Sequence, residues 1–318
     1  MPMAPKTTFQ KSSPMKKLRI ALDWTPNVNH IGFFVAHELG FYQNLGIDFE
    51  FLNPKDDDYS ATPGKKLELD MADLAIAPFE TVISMNTKAN PVPVLAIYAI
   101  LQEDLSSIVT LKSSNILSPK ELDGKTYASY KARYEDHIVF ELLKNDGGSG
   151  RLQVIYPNKL GIWNTLLQGK ADATWIFDHW EGVEARNRGV ELNHFHLNNF
   201  KIPYGYSPVI LAKKDRIDSD FELLSHFIQA TKKGFLYAKE HQKESAKILK
   251  NYVSLHELEH IPLEESISLT APYLGDEETA GFMAEARVHA FANWLVQHQL
   301  EDARILSKTL FTNALLEK

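Results

Sequence analysis

The stretch LRIALDWTPNVNH, residues 18–30, predicts a buried strand that ends in a polar corner. Its apolar run stops at Asp23 and Trp24, and a Pro-Asn turn then precedes a helix-like segment, GFFVAHELGFY. In open α/β sheets, ligands bind beyond the carboxyl ends of the strands, where loops enter helices. The corner therefore offers candidate ligand contacts at Asp23, Trp24, Asn27, Asn29 and His30. The alternative is an ordinary corner in which asparagine forms the turn and caps the helix.

Composition and charge indicate a globular protein and argue against several partners. The 318 residues are 44% hydrophobic, which is sufficient for two lobes. A net charge of −7, with scattered Lys and Arg, disfavours nucleic acid, because phosphate binding needs a concentrated basic face. The absence of cysteine excludes disulfides, thiolate metal sites and a Cys nucleophile. No apolar run approaches the roughly 20 residues that a membrane span needs.

Residues 1–17 are basic and rich in Ser, Thr and Pro, without the apolar segment of a signal peptide. We predict a flexible tail for this segment. Because no signal peptide or lipoprotein cysteine is recognised, we expect a cytoplasmic location.

Strand-like and helix-like segments alternate, which predicts an α/β fold with mainly parallel sheets. The predicted strands are 18–23, 48–52, 73–77, 94–100, 107–112, 125–130, 152–156, 172–177, 191–197 and 207–213. The predicted helices are 32–44, 80–87, 119–123, 135–146, 161–168, 181–188 and 220–250, with more from 263 onward. Segments MADLAIAP and KADATWIF share a pattern, as do LRIALDW and KTYASYK, so two similar lobes are expected. We assign 18–107 with 207–318 to lobe 1 and 108–206 to an inserted lobe 2, with a ligand between them.

A second corner of the same kind is WIFDHWEG, residues 175–182. An apolar strand again ends in a carboxylate, Asp178, with Trp175, His179 and Trp180 beside it and Glu181 at a helix start. Tryptophan can stack on a planar ligand, and a carboxylate can accept paired hydrogen bonds from an amino-substituted ring. The alternative places Trp175 in the core and Glu181 at the helix dipole.

Two further segments could contact a ligand. Glu80 follows the strand LAIAP and begins a helix, although an acid is common there for dipole reasons alone. The loop ASYKARYED, residues 128–136, brings Lys131 and Arg133 to another helix start, where backbone amides and two cations could hold a phosphate or carboxylate. The alternative for this loop is a solvated surface turn.

The segment HELEH, residues 256–260, matches the zinc pattern H-E-x-x-H. Pro262 follows at once, and no third ligand is evident. We interpret the match as a coincidence and expect no metal site.

LDWTPNVNHIGFFVAHELGFY, with GIDFEF after it, resembles the thiamin-pyrimidine branch of the type II periplasmic-binding-protein superfamily. GKADATWIFDHWEGVE, ELDGKTYASY and LLKNDGG are similar to its bacterial members that bind formylaminopyrimidine. The resemblance spans most of residues 18–250 and implies a two-lobed fold that closes over a flat aminopyrimidine. It implies that Trp24 stacks on the ring and that Glu80 and the second corner complete the cleft. The full predicted ligand-binding set is Asp23, Trp24, Asn27, Asn29, His30, Glu80, Tyr130, Lys131, Arg133, Trp175, Asp178, Trp180, Glu181 and Tyr206.

A related branch, the yeast-type synthases, makes the pyrimidine phosphate from pyridoxal phosphate and one of its own histidines. The resemblance implies that such an enzyme needs a Lys and a His after the third strand and a cysteine-rich motif. This chain has LAIAPFET there and no cysteine.

Three hypotheses remain open. The first is a non-catalytic binding protein for a thiamin-pyrimidine precursor, without a cofactor. The second is a synthase-like enzyme that uses pyridoxal phosphate, and the third is a binding protein for another heterocycle or a sulfonate. An ABC importer would be a partner only if the protein were exported.

Overall fold

The computed structural model describes residues 15–317, so most of the predicted tail of residues 1–17 lies outside the described residues. Lys16 and Lys17 of that tail already belong to the first strand. The strands are β1 Lys16–Ala21, β2 Ile47–Leu52, β3 Leu74–Ala77, β4 Val94–Ala99, β5 Ser106–Leu111, β6 Thr126–Ala128, β7 Gln153–Ile155, β8 Ala173–Phe177, β9 Leu192–Phe195 and β10 Val209–Lys213. All ten predicted strands are confirmed, with ends that differ by at most two residues.

Helices connect and cover the strands. They are α1 Ile31–Glu38, α2 Pro63–Glu68, α3 Phe79–Thr87, α4 Glu135–Asn145, α5 Ile162–Leu167, α6 Glu181–Asn187, α7 Lys214–Ser219, α8 Phe221–Glu240, α9 Gln242–Leu249, α10 Leu255–His260, α11 Leu263–Thr270 and α12 Glu285–Gln297. Short 3₁₀ turns link several of them, among them 119–122, where a helix was predicted. None of these helices is long and apolar enough to cross a membrane.

Two predicted helices have wrong bounds, and three helices, α2, α7 and α10, were not predicted. The helix predicted over 32–44 ends at Glu38, because Gly40 adopts a left-handed φ of 71°. The helix predicted over 220–250 is broken at His241 into α8 and α9. The helix α2 was missed, although Thr62 caps it and Pro63 occupies its first position, the usual start signal.

The strands form two sheets of the same design. One has the order β2-β1-β3-β10-β4, and the other has the order β7-β6-β8-β5-β9. In each five-stranded sheet the first three strands in this order are parallel, and the fourth is antiparallel to both the third and the fifth. The strand pairs β1 with β6 and β3 with β8, which carry the repeated sequence patterns, occupy equivalent positions.

Sequence pattern explains why these segments form buried strands. The strands β3 and β4 are buried along their whole length, as expected when helices cover both faces of a sheet. The helix α1 packs on α8 through Gly32 and Gly234, where a Cβ on Gly234 would lie 2.0 Å from the carbonyl oxygen of Gly32. This close packing fixes the helix that follows the first corner.

Two chain segments, 100–105 and 196–208, connect the two sheets. The predicted lobe boundaries near these segments stay a prediction. The carboxyl ends of β1, β3, β6 and β8 meet at the cavity described next.

Candidate functional site

A cavity of about 460 Å³ lies between the two sheets, and ten of the fourteen predicted ligand residues line it. Its size is within the range of sites for small organic ligands. Residues that end β3 and β8 form part of its floor. The lining residues from the predicted set are Asp23, Trp24, Asn27, Glu80, Tyr130, Lys131, Arg133, Trp175, Trp180 and Glu181.

The first corner is organised by its own hydrogen bonds. The backbone N–H of Asn27 donates to Nδ1 of the buried His30 at 3.2 Å, so the ring proton lies on Nε2. That Nε2–H donates to Asp23 Oδ1 at 2.7 Å. The imidazole therefore orients the Asp23 carboxylate at the cavity wall and does not itself reach the cavity.

Asn29 and His30 belong to the predicted ligand set, but neither lines the cavity. The Asn29 side chain accepts from Nε2 of the buried His179 at 2.6 Å. This contact joins the first corner to the second. The side chains of both residues bond to other residues of the two corners.

Aromatic rings form two walls of the cavity. The Trp24 ring lies 5.9 Å from Tyr59 and 5.7 Å from Tyr130, measured between ring centroids. On the side of the second sheet, Trp175 lies 5.1 Å from Tyr204. Such walls favour a flat, aromatic ligand, because a planar ring can stack on or pack edge-on against them.

Glu80 provides an unpaired carboxyl group at the base of the cavity. The residue is only 6% exposed, and its Oε2 has no hydrogen-bond partner among the described residues. Burial raises the pKa of Glu80 to about 8, and the nearby Glu135 charge adds to the shift. At neutral pH the side chain therefore carries a proton and can both donate and accept a hydrogen bond.

Glu181 is the first residue of α6 and offers a second buried carboxyl group. Its Oε2 accepts the backbone N–H of Phe177 at 3.0 Å. Burial raises the pKa of Glu181 to about 7. The cavity thus holds two carboxyl groups that change protonation near physiological pH.

The backbone amides of the loop of residues 128–136 are not available to bind an anion, contrary to the prediction. The amides of Tyr130 and Ala132 donate to the Glu135 carboxylate at 3.0 and 3.1 Å, so these donors are already used. The Arg133 guanidinium pairs with Glu301 at 2.8 Å and donates to Thr87. The loop's own carboxylate therefore occupies amides that were expected to hold a ligand.

Asp178 and Tyr206 also belong to the predicted ligand set, and neither lines the cavity. Asp178 accepts from Ser107 Oγ at 2.6 Å and lies 2.9 Å from Nδ1 of His194. Tyr206 is buried against Arg287, and its hydroxyl accepts the backbone N–H of Ala284 at 2.9 Å. Both side chains face other parts of the fold.

Several cavity residues were missed from the sequence. Tyr59 follows the short turn after β2, and Tyr204 lies in the segment before β10, so neither stands at a recognisable strand end. Glu135 resembles an ordinary acid in a first helical turn. Lys159 follows β7 and could have been found by applying the strand-end rule to that strand as well.

The HELEH segment forms α10 on the outside of the molecule. Its Glu257 caps the helix with Ser254 and accepts a hydrogen bond from Thr25, so it is not free to act as a base. The donor atoms of His256, Glu259 and His260 lie within 4.8 Å of one another. The sequence had shown no third ligand because Glu259 lies inside the motif. The expectation of no metal stays a prediction.

The chain is similar in sequence to several named proteins. A Haemophilus influenzae protein named for thiamine biosynthesis is 23% identical over 240 residues, 74% of each chain. The formylaminopyrimidine-binding protein of Halalkalibacterium halodurans is 21% identical over 272 residues, 82% of this chain and 79% of that one. The 4-amino-5-hydroxymethyl-2-methylpyrimidine phosphate synthase of Legionella pneumophila is 24% identical over 249 residues, 75% of this chain and 74% of that one.

The fold is that of two-lobed periplasmic binding proteins. The alkanesulfonate-binding protein of Xanthomonas axonopodis superposes with a TM-score of 0.71 over 95% of this chain and 99% of that one, at 13% identity. The model of the NMT1/THI5-like family matches residues 27–245. That match begins within the first corner, after Asp23 and Trp24, and covers Glu80, the second corner and the Trp175–Tyr204 wall. The chain belongs to the NMT1/THI5-like family.

Proposed function

We propose that the protein binds an aminopyrimidine precursor of thiamin in the cavity between its two sheets, without converting it. The observation that carries this proposal is the Glu80 carboxyl group, which is buried, protonated at neutral pH and unpaired, between walls of aromatic rings. A buried polar group without a partner costs free energy, and a ligand that supplies the partner recovers it.

The chemistry of an aminopyrimidine matches this group. A protonated carboxyl can donate its O–H to a ring nitrogen and accept the neighbouring amino N–H, which gives two parallel hydrogen bonds. The flat ring can then stack on Trp24. A sulfonate offers only acceptors and no flat face, so the carboxyls and aromatic walls favour the heterocycle over that alternative.

The names of the relatives support the same ligand class. One is a formylaminopyrimidine-binding protein, and another is named for thiamine biosynthesis. Neutral pyrimidines of the hydroxymethyl and formylamino type are therefore the first ligands to test. Closure of the two lobes over the ring is the expected mode of binding. The cytoplasmic location stays a prediction.

A relative of the chain is named as a synthase, but the residues of the cavity do not support a synthase function. A synthase of this branch consumes one of its own histidines, yet no histidine lines the cavity among the described residues. The residues after β3 are Pro78, Phe79, Glu80 and Thr81, with no Lys or His. We therefore propose a binding protein, with no cofactor.

A thermal-shift and native mass-spectrometry panel tests the proposal. The compounds are hydroxymethylpyrimidine, formylaminopyrimidine, pyridoxal phosphate and an alkanesulfonate. We expect stabilisation and a 1:1 complex with a pyrimidine, and no complex with the sulfonate. Absence of binding by both pyrimidines would contradict the proposal. Consumption of pyridoxal phosphate with loss of mass from the chain would establish the synthase instead.

A further inference from the structure

Five cationic side chains line the cavity, and they differ in whether an acid neutralises them. Lys65 and Lys88 share the carboxylate of Glu68, at 3.1 and 2.8 Å. Arg133 pairs with Glu301 at 2.8 Å. Lys131 and Lys159 form no ion pair with any described residue. These last two are therefore the cations available to a ligand.

The sheet brings Lys131 and Lys159 to one edge. The strands β6 and β7 are parallel neighbours, with Ala128 opposite Ile155 at their carboxyl ends. Lys131 follows β6, and Lys159 follows β7, so both extend from the same end of the second sheet. Two lysines from adjacent strand ends thus both line the cavity.

Lys159 is half-buried, with its ammonium 5.0 Å from the centre of the Tyr59 ring. Burial lowers the pKa of Lys159, Glu135 opposes the shift, and the charge of Lys131 adds to it. A desolvated ammonium next to a like charge is unfavourable unless an anion joins them. The Lys131 ammonium lies 5.3 Å from the centre of the Tyr156 ring, so both cations rest on aromatic faces rather than on carboxylates.

The backbone amides of the loop of residues 128–136 already have acceptors, so an anion there would be bound by the lysine side chains. Glu135 already accepts from the Tyr130 and Ala132 amides, and Lys131 donates its amide to Ser129 Oγ at 2.9 Å. An anion at this edge would therefore find the two ammonium groups as its donors.

We propose that Lys131 and Lys159 bind a phosphate group on the aminopyrimidine, so that the preferred ligand is a phosphate monoester rather than the free alcohol. This inference rests on the proposed function and specifies its ligand. A phosphate monoester carries a charge of about −1.5 to −2 at neutral pH, which two ammonium groups can neutralise. A carboxylate would leave one of the two unpaired.

Isothermal titration with hydroxymethylpyrimidine and with its phosphate ester tests the inference. The proteins are the wild type, Lys131→Met, Lys159→Met and the double variant. Lys170→Met serves as the matched control, because Lys170 is an exposed lysine of the second-sheet region that does not line the cavity. Circular dichroism checks that each variant is folded.

We expect the wild type to bind the ester about 10- to 100-fold more tightly than the alcohol, the range of a charge-assisted contact. The double variant should lose that preference, because it weakens binding of the ester far more than binding of the alcohol, and Lys170→Met should keep it. Increasing salt should weaken binding of the ester only.

Equal affinity of the wild type for ester and alcohol would overturn this inference and leave the proposed function standing. Retention of the preference in the double variant would also overturn it. If neither pyrimidine binds, the proposed function fails, and titration with inorganic phosphate decides the lysine site separately. Saturable phosphate binding that requires both lysines would support it, and no such binding would overturn it.

Discussion

The two strand-to-helix corners, in residues 18–30 and 175–182, each contain an aspartate, a tryptophan and a histidine but present them differently. In the first corner the acid and the indole, Asp23 and Trp24, face the cavity, and the histidine is turned inward. In the second corner the acid that ends the strand, Asp178, and its neighbour His179 are turned away. Trp180 and Glu181 take their place at the cavity.

The position of the helix start explains this difference. After β1, six residues separate Trp24 from the first residue of α1, so the loop itself forms the wall. After β8, the helix α6 begins at Glu181, and its first turn points into the cavity. The number of residues between the strand end and the helix start therefore decides which carboxylate faces the cavity. It is not always the first acid after the strand.

The largest expected effect is at Trp24, the aromatic residue of the first corner. Replacing Trp24 with Ala should weaken binding of the pyrimidine about 5- to 150-fold, because stacking on an aromatic ring contributes about 1 to 3 kcal/mol. Isothermal titration measures the change. Trp24→Phe should retain most of the affinity, since it keeps a ring at the wall. Unchanged affinity in the Ala variant would show that the first corner is not the stacking wall.

The second corner gives the sharpest contrast between neighbouring acids. Glu181→Ala should weaken binding about 5- to 30-fold, the cost of one lost hydrogen bond in a buried site, about 1 to 2 kcal/mol. Asp178→Asn should leave the affinity unchanged and lower only the melting temperature, since Asp178 bonds to Ser107 and His194. The opposite ranking would mean that the second corner presents its strand-end acid to the ligand.

The protonation of Glu80 predicts a pH dependence of binding. With a pKa of about 8, Glu80 can donate to a ring nitrogen at neutral pH and loses that proton above pH 8. Affinity should then fall about ten-fold per pH unit. Glu80→Gln keeps a donor and an acceptor but does not titrate, so its affinity should stay flat from pH 8 to 9, above the pKa of about 7 of Glu181. A wild-type affinity that rises above pH 8 would contradict the assignment.

The raised pKa of Glu80 also makes the stability of the ligand-free protein depend on pH. The folded-state pKa of Glu80 lies above its ordinary value of 4.5, so the folded protein binds more protons between these values. The Glu80 contribution to the free energy of unfolding is fully present below about pH 4.5 and is lost as pH rises through 8. Denaturation of Glu80→Gln at several pH values should lack this component. If the free energy of unfolding has the same pH profile in both proteins, the pKa of Glu80 is not raised by burial.

The smallest effect on affinity is expected at Asn29, which joins the two corners through His179. Asn29→Ala removes one buried hydrogen bond and should lower the free energy of unfolding by about 1 to 3 kcal/mol. Its affinity for the pyrimidine should change little, because the side chain does not reach the cavity. A loss of affinity larger than that of Trp24→Ala would restore Asn29 as a ligand contact.

Much of the fold followed from the sequence, because buried strands and strand-end polar residues leave strong local patterns. The rule that ligands bind at strand ends predicted Trp24, Glu80, Trp175 and Glu181, which line the cavity. It could not tell which way a side chain turns within a corner, which depends on hydrogen bonds such as that of His30 to Asp23. Nor could it find Tyr59 and Tyr204, whose approach to the cavity depends on tertiary packing rather than on a local motif.

A crystal structure of the protein with hydroxymethylpyrimidine tests the central claim most directly. The account predicts the ring in the cavity between the two sheets, stacked on Trp24, with its amino group and ring nitrogen on the Glu80 carboxyl. A ring bound elsewhere, or bound in the cavity without contact to Trp24 and Glu80, would contradict it.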